Sequence, residues 1–219
     1  MHSIDPYNLI LVMQAQGIIE LSSSIPKARS PDREEFFLMN TTRTRIMAEA
    51  AVAASLSTVL SFITLWRMPQ GGSVNLEMLP ILFVAFRHGG GAGIITGLIH
   101  GLLQLITGPY IVHPAQLILD YPLAYMMVGL AGILPVFSEV GKIKFGRLFL
   151  ALGLGGGGRL LSHILAGAIF FAEFAPEGQN PWIYSFIYNL SHLLPALIIS
   201  VMVIILLFKQ NSELFLQNT

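Results

Sequence analysis

Apolar residues are grouped in six runs along the chain, and short polar segments separate them. The runs cover residues 46–66, 74–86, 92–107, 114–137, 148–171 and 182–208. A helix needs about 20 mostly apolar residues to cross the hydrocarbon core of a bilayer. The second and third runs are shorter, which favours tilted helices or a bundle with a cavity at one side. The pattern predicts an all-α integral membrane protein, a bundle of six transmembrane helices.

Composition supports this class. Of the 219 residues, 54% are hydrophobic and 11% are charged, whereas soluble domains carry about 25% charged residues. The net charge is zero, so no overall field attracts nucleic acid. The chain has no cysteine, which excludes disulfides, thiolate metal sites and a cysteine nucleophile. We therefore expect a lipid bilayer around the protein, no cofactor and no nucleic-acid partner.

Basic residues alternate from one loop to the next. They precede the first run, separate the second from the third and the fourth from the fifth, and follow the sixth: Arg43, Arg45, Arg87, Lys142, Lys144, Arg147 and Lys209. The other loops hold only Arg67 and the acidic pair Glu173 and Glu177. Cytoplasmic loops carry an excess of Lys and Arg. The alternation predicts six spans with both termini in the cytoplasm.

Residues 1–38 differ from the rest. The apolar stretch 7–21 contains Gln14, Gln16 and Gly17, so it is too short and too polar to span a membrane. It lacks the basic start and the small-residue cleavage site of a signal peptide. We expect either a flexible N-terminal extension or a mis-assigned start, with Met39 as the favoured true start. The membrane domain is expected over 39–209 and a cytoplasmic tail over 210–219.

Small residues recur every four positions in three of the runs. Gly93, Gly97 and Gly101 form one stripe, and Gly153 with Gly157 repeats the spacing. Such stripes let another helix backbone approach closely. In the first run, Ala50 with Ala54 and Ala51 with Ser55 have the same spacing. That face has two interpretations, packing within the bundle or docking of another membrane protein.

Polar residues inside the apolar runs indicate a cavity, because ionisable groups in a membrane usually face a cavity or a partner. With a rise of 1.5 Å per residue, Asp120 lies about 9 Å, His163 about 12 Å and Asn189 about 10 Å below the outer ends of their helices. The residues placed at similar depth are Tyr110, Asp120, Tyr121, His163, Tyr184 and Asn189. A carboxylate, aromatic faces and an amide suit a small, flat, cationic or amine-bearing ligand.

Each of these polar residues also has a structural interpretation. Asp120 could pair with Arg159, which would then balance or support it. His163 could be a satisfied core histidine, Tyr184 part of the interfacial aromatic belt, and Asn189 a link between helices. Glu49 is expected to snorkel or pair with a nearby arginine. Glu77 is expected to cap the second helix, and contact with the ligand is its alternative.

Several segments in combination resemble a known family. Residues 68–80, 86–89, 113–121, 159–163, 174–178 and 182–185 resemble the thiamine-specific S components of energy-coupling-factor (ECF) transporters. The resemblance covers nearly all of 39–208. It implies a substrate-binding subunit in the bacterial plasma membrane that docks on a transmembrane coupling subunit driven by two ATP-binding subunits.

The resemblance also implies roles for individual residues. The thiamine contacts would be Tyr110, Asp120, Tyr121, His163, Phe171, Tyr184 and Asn189. A lid would contain Gly71, Gly72, Ser73 and Asn75, and the coupling subunit would dock on Ala50, Ala51, Ala54 and Ser55. The chain departs from some members at Asp120, where they have Glu, and at Phe171, where they have Trp. Gly71 and Asn75 stand where some members have a lid Trp and a Glu.

Together these observations predict a thiamine-binding transport subunit with no catalysis of its own. One alternative is an S component for another vitamin or a precursor such as hydroxymethylpyrimidine. Another is a self-sufficient secondary transporter. A third is an intramembrane enzyme that uses His163 and Asp120 as acid and base.

Overall fold

A computed structural model describes residues 33–69, 71–138 and 141–216. The chain divides into two units, Met1–Thr41 and Thr42–Thr219, and the second contains the fold and the cavity described below. The expected N-terminal extension, residues 1–38, lies outside the described residues up to position 32. Of the expected tail, the structure describes residues up to 216, including a 3-10 turn at Ser212–Leu214.

The described residues form six main helical segments. They are α1 (Arg33–Ser61), α2 (Met78–His88), α3 (Gly90–Gln104), α4 (Pro114–Ile133), α5 (Phe145–Phe170) and α6 (Pro181–Gln210). Both α4 and α6 begin with proline, which has the backbone angle of a first helical residue and needs no amide partner there. The side chains of His113 and Asn180 accept hydrogen bonds from backbone N–H groups in these first turns.

The loop between α1 and α2 corrects two predicted boundaries. Its strands β1 (Trp66–Arg67) and β2 (Ser73–Val74) pair antiparallel, with Trp66 opposite Val74. The first helix therefore ends at Ser61 instead of residue 66, and the second begins at Met78 instead of residue 74. Pro80 falls in the first turn of α2, where the missing N–H breaks no helical hydrogen bond.

The fourth helical segment changes its winding. It is α-helical over Pro114–Ile118, π-helical over Leu119–Leu123, α-helical again over Ala124–Gly129 and 3-10 over Leu130–Ile133. Pro122 lies inside the π-helical part. Such bulges relax the normal hydrogen-bond ladder, which a proline cannot complete, and they are frequent at functional sites. The helix was predicted to reach residue 137, but Phe137 instead forms a bridge with Ile143.

Glycines bring α3 and α4 into close contact. A Cβ atom on Gly97 would collide with the carbonyl oxygen of Tyr125, and one on Gly93 would lie 2.9 Å from the backbone of Gly129. The prediction of a close approach at this stripe is confirmed. A Cβ on Gly153 or Gly157 would meet nothing within 4 Å, so no described part of this chain packs against the second stripe. A four-residue spacing shows that small residues share one face of a helix. It does not show whether that face lies inside the bundle or on its outside.

Within the described part of the chain, three helices are long and apolar enough to cross a membrane: α4, α5 and α6. Helix α6 carries an exposed apolar stripe along its length: Ile183, Ile187, Leu194, Ile198, Met202 and Leu206. Its opposite side is buried, with Ile204 and Phe208 in the core. Large apolar side chains on the outside and polar side chains inside are typical of a surface that faces lipid.

Candidate functional site

A cavity of about 750 Å³ opens among the helices, within the range of about 300–1,000 Å³ that small-molecule sites occupy. The predicted contact residues all line it: Tyr110, Asp120, Tyr121, His163, Phe171, Tyr184 and Asn189. The four residues of the predicted lid, Gly71, Gly72, Ser73 and Asn75, line it as well. The fold therefore brings together side chains from four separate parts of the sequence.

Asp120 is paired with histidine, not arginine. Its Oδ1 lies 2.9 Å from His163 Nδ1, and its Oδ2 accepts a hydrogen bond of 2.8 Å from the side chain of Gln116. The two side chains of the pair, His163 and Asp120, are only 15% and 17% exposed. The interpretation of Asp120 as a partner of Arg159 is wrong, because the carboxylate contacts His163, one turn farther along α5, and Arg159 has a different partner.

Arg159 instead pairs with Glu77. Their Nη2 and Oε1 atoms are 2.6 Å apart, and both side chains are less than a tenth exposed. Glu77 makes no side-chain cap of α2, so its predicted capping role is wrong. From the sequence, Arg159 was expected to pair with Asp120. The signal that could have linked it to Glu77 is that both are charged residues in apolar runs, where opposite charges usually pair with one another.

Tyr125 and His163 hold the arginine in place. Nη2 also donates to the Tyr125 hydroxyl at 3.2 Å, and the guanidinium carbon lies 4.3 Å from the centre of the Tyr125 ring. Its Nε lies 3.4 Å from His163 Nε2. The Glu77–Arg159 pair and the Asp120–His163 pair therefore belong to one connected polar network across the cavity.

Aromatic rings form much of the remaining wall. Tyr110 and Phe171 have ring centroids 5.9 Å apart, as do Tyr184 and Tyr188. The Tyr121 hydroxyl accepts a 2.9 Å hydrogen bond from the backbone N–H of Tyr110, which ties the loop before α4 to the cavity. These faces can stack on a flat ring and attract a cation.

Asn189 links two helices and also lines the cavity. Its side-chain nitrogen donates to the backbone carbonyl of Ser185 at 2.8 Å and lies 3.4 Å from that of His163. It thus links α6 to α5, as the structural interpretation expected, while it also lines the cavity.

The loop residues that line the cavity are in contact with α6. The backbone N–H of Gly72 donates to the Tyr188 hydroxyl at 3.0 Å. A Cβ atom on Gly72 would lie 2.7 Å from the ring of His192. Gly71 has φ of 98°, which favours glycine. Asn75 is buried and its Oδ1 accepts from the backbone N–H of Glu77. The loop therefore fits closely on the tyrosine–histidine wall.

The four residues of the predicted docking face on α1 do not lie on one side of the helix. Ala50 and Ala54 are fully buried, so for this pair the packing interpretation is right and the docking interpretation is wrong. A helix turns about 100° per residue, which places Ala51 and Ser55 on the exposed side. The Ser55 hydroxyl donates to the Ala51 carbonyl at 2.9 Å.

The predicted pairing of Glu49 with arginine is confirmed. Glu49 lies 3.1 Å from Arg45 and 3.0 Å from Arg87, and its second carboxylate oxygen lies 2.5 Å from His88. Arg87 also donates to the Leu214 carbonyl. This cluster joins α1, the end of α2 and the C-terminal turn, and none of its members is among the residues that line the cavity.

The sequence is similar to that of a known protein family. Residues 47–216 match the family described as "Thiamine transporter protein (Thia_YuaJ)". The thiamine transporter ThiT of Bacillus subtilis (strain 168) is 37% identical over 178 residues, which cover 77% of this chain and 92% of that protein. ThiT of Lacticaseibacillus paracasei is 28% identical over 180 residues, covering 78% and 90%.

A solved structure, ThiT from Listeria monocytogenes, superposes with a TM-score of 0.72 at 30% identity, covering 80% of this chain and 98% of that one. This likeness, with the apolar helices, identifies an all-α, multi-pass membrane protein. The family match spans far more than half of the sequence. The chain therefore belongs to the thiamine transporter family Thia_YuaJ.

Proposed function

We propose that the protein is the membrane-embedded thiamine-binding subunit of an ATP-driven, ECF-type uptake transporter in the bacterial plasma membrane. In this proposal six transmembrane helices form the domain 39–209, both termini and the tail 210–219 are cytoplasmic, and the cavity opens to the outside. The observation that carries it is the Asp120–His163 pair, 2.9 Å apart in a wall of aromatic rings.

Thiamine has a permanently charged thiazolium ring and an aminopyrimidine ring, and the cavity offers groups for both. The Asp120 carboxylate can balance the cation or accept from the ring amine. Tyr184 and Asn189 can bind the edge of the pyrimidine, because hydroxyl and amide groups both donate and accept. Phe171 can stack on a ring face. The loop of Gly71, Gly72, Ser73 and Asn75 would cover the bound vitamin.

Energy for uptake would come from partners. The glycine run 155–158 is not followed by the Lys-Ser/Thr of a phosphate-binding loop, so the chain offers no such motif for ATP there. A transmembrane coupling subunit and two ATP-binding subunits would supply it. The exposed small pair Ala51 and Ser55 gives a coupling subunit a surface where two helix backbones can come close.

Isothermal titration of the purified protein with thiamine tests the proposal. We expect a single site, and Asp120→Ala should weaken binding by roughly 10- to 150-fold, the range for a hydrogen bond to a charged group. Glu173→Ala is the control, because this carboxylate is exposed and is not among the cavity-lining residues. No heat of binding with thiamine, or equal affinity in the Asp120 variant, would refute the assignment.

Two further measurements separate the alternatives. Hydroxymethylpyrimidine should compete weakly with thiamine, and stronger competition would make the precursor the substrate. In vesicles, uptake should require the coupling and ATP-binding subunits together with ATP. Accumulation by this protein alone would instead support a secondary transporter.

A further inference from the structure

The side chain of Gln116 connects the carboxylate of Asp120 to the loop that precedes α4. Gln116 lines the cavity and is only 1% exposed. Its Nε2 donates to Asp120 Oδ2 at 2.8 Å and to the backbone carbonyl of Tyr110 at 3.2 Å. Its Oε1 accepts from the backbone N–H of Val112 at 3.1 Å. Both ends of the amide therefore have partners inside the protein.

Only one orientation of this amide fits its surroundings. A carboxylate and a backbone carbonyl accept hydrogen bonds, whereas a backbone N–H donates. Turning the amide over would place Oε1 against the Asp120 carboxylate and the Tyr110 carbonyl, and Nε2 against the Val112 N–H. Because Gln116 is buried, water cannot replace the bonds that its amide would lose. The N–H donor is therefore fixed toward Asp120.

Asp120 thereby has a polar partner on each of its oxygens. His163 Nδ1 lies 2.9 Å from Oδ1, and Gln116 Nε2 lies 2.8 Å from Oδ2. Gln116 and Asp120 are four residues apart in the same helical segment, which makes them neighbours on its surface. A carboxylate has about four sites that can accept a hydrogen bond. Partners on both oxygens fix its plane, and the remaining sites keep a fixed direction.

The same amide also holds the backbone of Tyr110. The Tyr110 carbonyl accepts from Gln116, and its N–H donates to the Tyr121 hydroxyl at 2.9 Å. The Tyr110 side chain is 64% exposed, and its ring centroid lies 5.9 Å from that of Phe171. Since so exposed a side chain has little packing of its own, its position depends on these backbone contacts. Gln116 therefore supports the aromatic wall as well as the carboxylate.

We propose that Gln116 is a positioning residue for a cationic ligand, aiming the Asp120 carboxylate at the ligand and holding Tyr110 beside it. This inference rests on the proposed function, in which the ligand is thiamine. Its specific chemical requirement is a hydrogen on the atom that faces Asp120 Oδ2. Replacing this donor by an acceptor of the same shape weakens binding, and returning a hydrogen to that atom restores it.

The variant Gln116→Glu makes this exchange with little change in shape. Its carboxylate can still accept from the Val112 N–H, but in the ionised form it meets the Asp120 carboxylate with no hydrogen between them. Two carboxylates at one site hold a shared proton more tightly than either would alone, so acid returns the missing hydrogen.

Other titratable groups lie near position 116, on α4, on α5 and in the loop before α4. They are Asp120, Tyr121, His163, Tyr110 and His113. All of them are present in the wild type as well. The ratio of wild-type to variant affinity at each pH therefore isolates the effect of the new carboxyl group.

Isothermal titration with thiamine compares the full-length wild type, Gln116→Glu and Gln116→Met at about pH 8 and about pH 5. At about pH 8, Gln116→Glu should bind roughly 10- to 150-fold more weakly than the wild type. This deficit should shrink by more than about threefold at about pH 5. Gln116→Met has no hydrogen to donate, so its deficit should be the same at both pH values. The control Gln179→Glu makes the same exchange in the loop between α5 and α6, outside the cavity lining, and should bind like the wild type.

Wild-type affinity of Gln116→Glu at about pH 8 would overturn the proposal. An equal deficit of this variant at both pH values would also overturn it, since that result reports lost packing and not a missing donor. If Gln116→Glu folds only in acid, Gln116→Met decides the question, and wild-type affinity of that variant would overturn the proposal. Absence of thiamine binding by the wild type is a different result, since it refutes the proposed function itself.

Discussion

Removing the carboxylate of Glu77 is expected to destabilise the protein strongly, even without ligand. The Glu77→Ala substitution leaves the Arg159 guanidinium with its positive charge and without its partner at 2.6 Å. Its other contacts, Tyr125 and His163, carry no negative charge that could replace the carboxylate. Arginine does not give up its proton in proteins. The charge therefore stays buried and uncompensated in the folded state.

The size of the effect follows from the burial of the pair. Both side chains are less than a tenth exposed, and breaking a buried ion pair at one partner costs about 3–5 kcal/mol. For a chain of about 150–250 residues, each kcal/mol shifts the melting temperature by about 2–4 °C. We expect Glu77→Ala to lower it by about 6–20 °C. The double variant Glu77→Gln/Arg159→Gln should lie much closer to wild type, since it removes both charges and nearly keeps the volume.

Thermal unfolding of the ligand-free protein in one detergent measures this directly. The control is Glu173→Ala, which removes an exposed carboxylate and should change the melting temperature by less than about 4 °C, because surface charges contribute about 0–1 kcal/mol. A Glu77→Ala protein that melts within about 2 °C of wild type would refute the reasoning. So would a double variant less stable than Glu77→Ala.

Three further predictions concern the loop, the helix contact and the docking surface. Gly72→Ala places a Cβ 2.7 Å from His192 and should weaken thiamine binding by roughly 5- to 150-fold, the effect of overpacking; titration showing a change below twofold would contradict it. Gly97→Val should lower the melting temperature, whereas Gly157→Val, in open space, should not; equal melting of the two would contradict the assigned contact. Ala51→Leu should reduce uptake by the assembled transporter in vesicles while titration still shows thiamine binding, and unchanged uptake would argue against docking at this surface.

The sequence predicted features that depend on spacing within one helix. Glu49 and Arg45 are four residues apart on α1, so their pairing follows from helical geometry. The small stripe through Gly97 was recognisable for the same reason, and so was the common depth of Asp120 and His163. In each case the rise and turn of a regular helix, taken from its ends, are enough to place the residue.

Features that depend on rotation about a helix axis could not be predicted. The side of α1 that faces the core decides between Ala50 and Ala51, which differ by one position and by about 100°. Asp120 itself lies in the π-helical turn with Pro122, and such a turn adds a residue and so rotates the following part of a helix about its axis. A hydropathy pattern contains no signal for this extra residue. Irregular backbone at a site is thus where sequence reasoning loses accuracy.

The two buried pairs are connected, which couples the stability of the fold to the proposed binding site. Arg159 Nε lies 3.4 Å from the ring of His163, whose other nitrogen faces Asp120. Arg159, which pairs with Glu77, therefore also contacts His163. His163 in turn lies beside Asp120, the residue whose carboxylate is proposed to bind the ligand. Neither pair can be altered alone without affecting the other, since neighbours in one network do not contribute additively. A network of this kind can hold the cavity in shape before the ligand arrives, which reduces the ordering cost of binding.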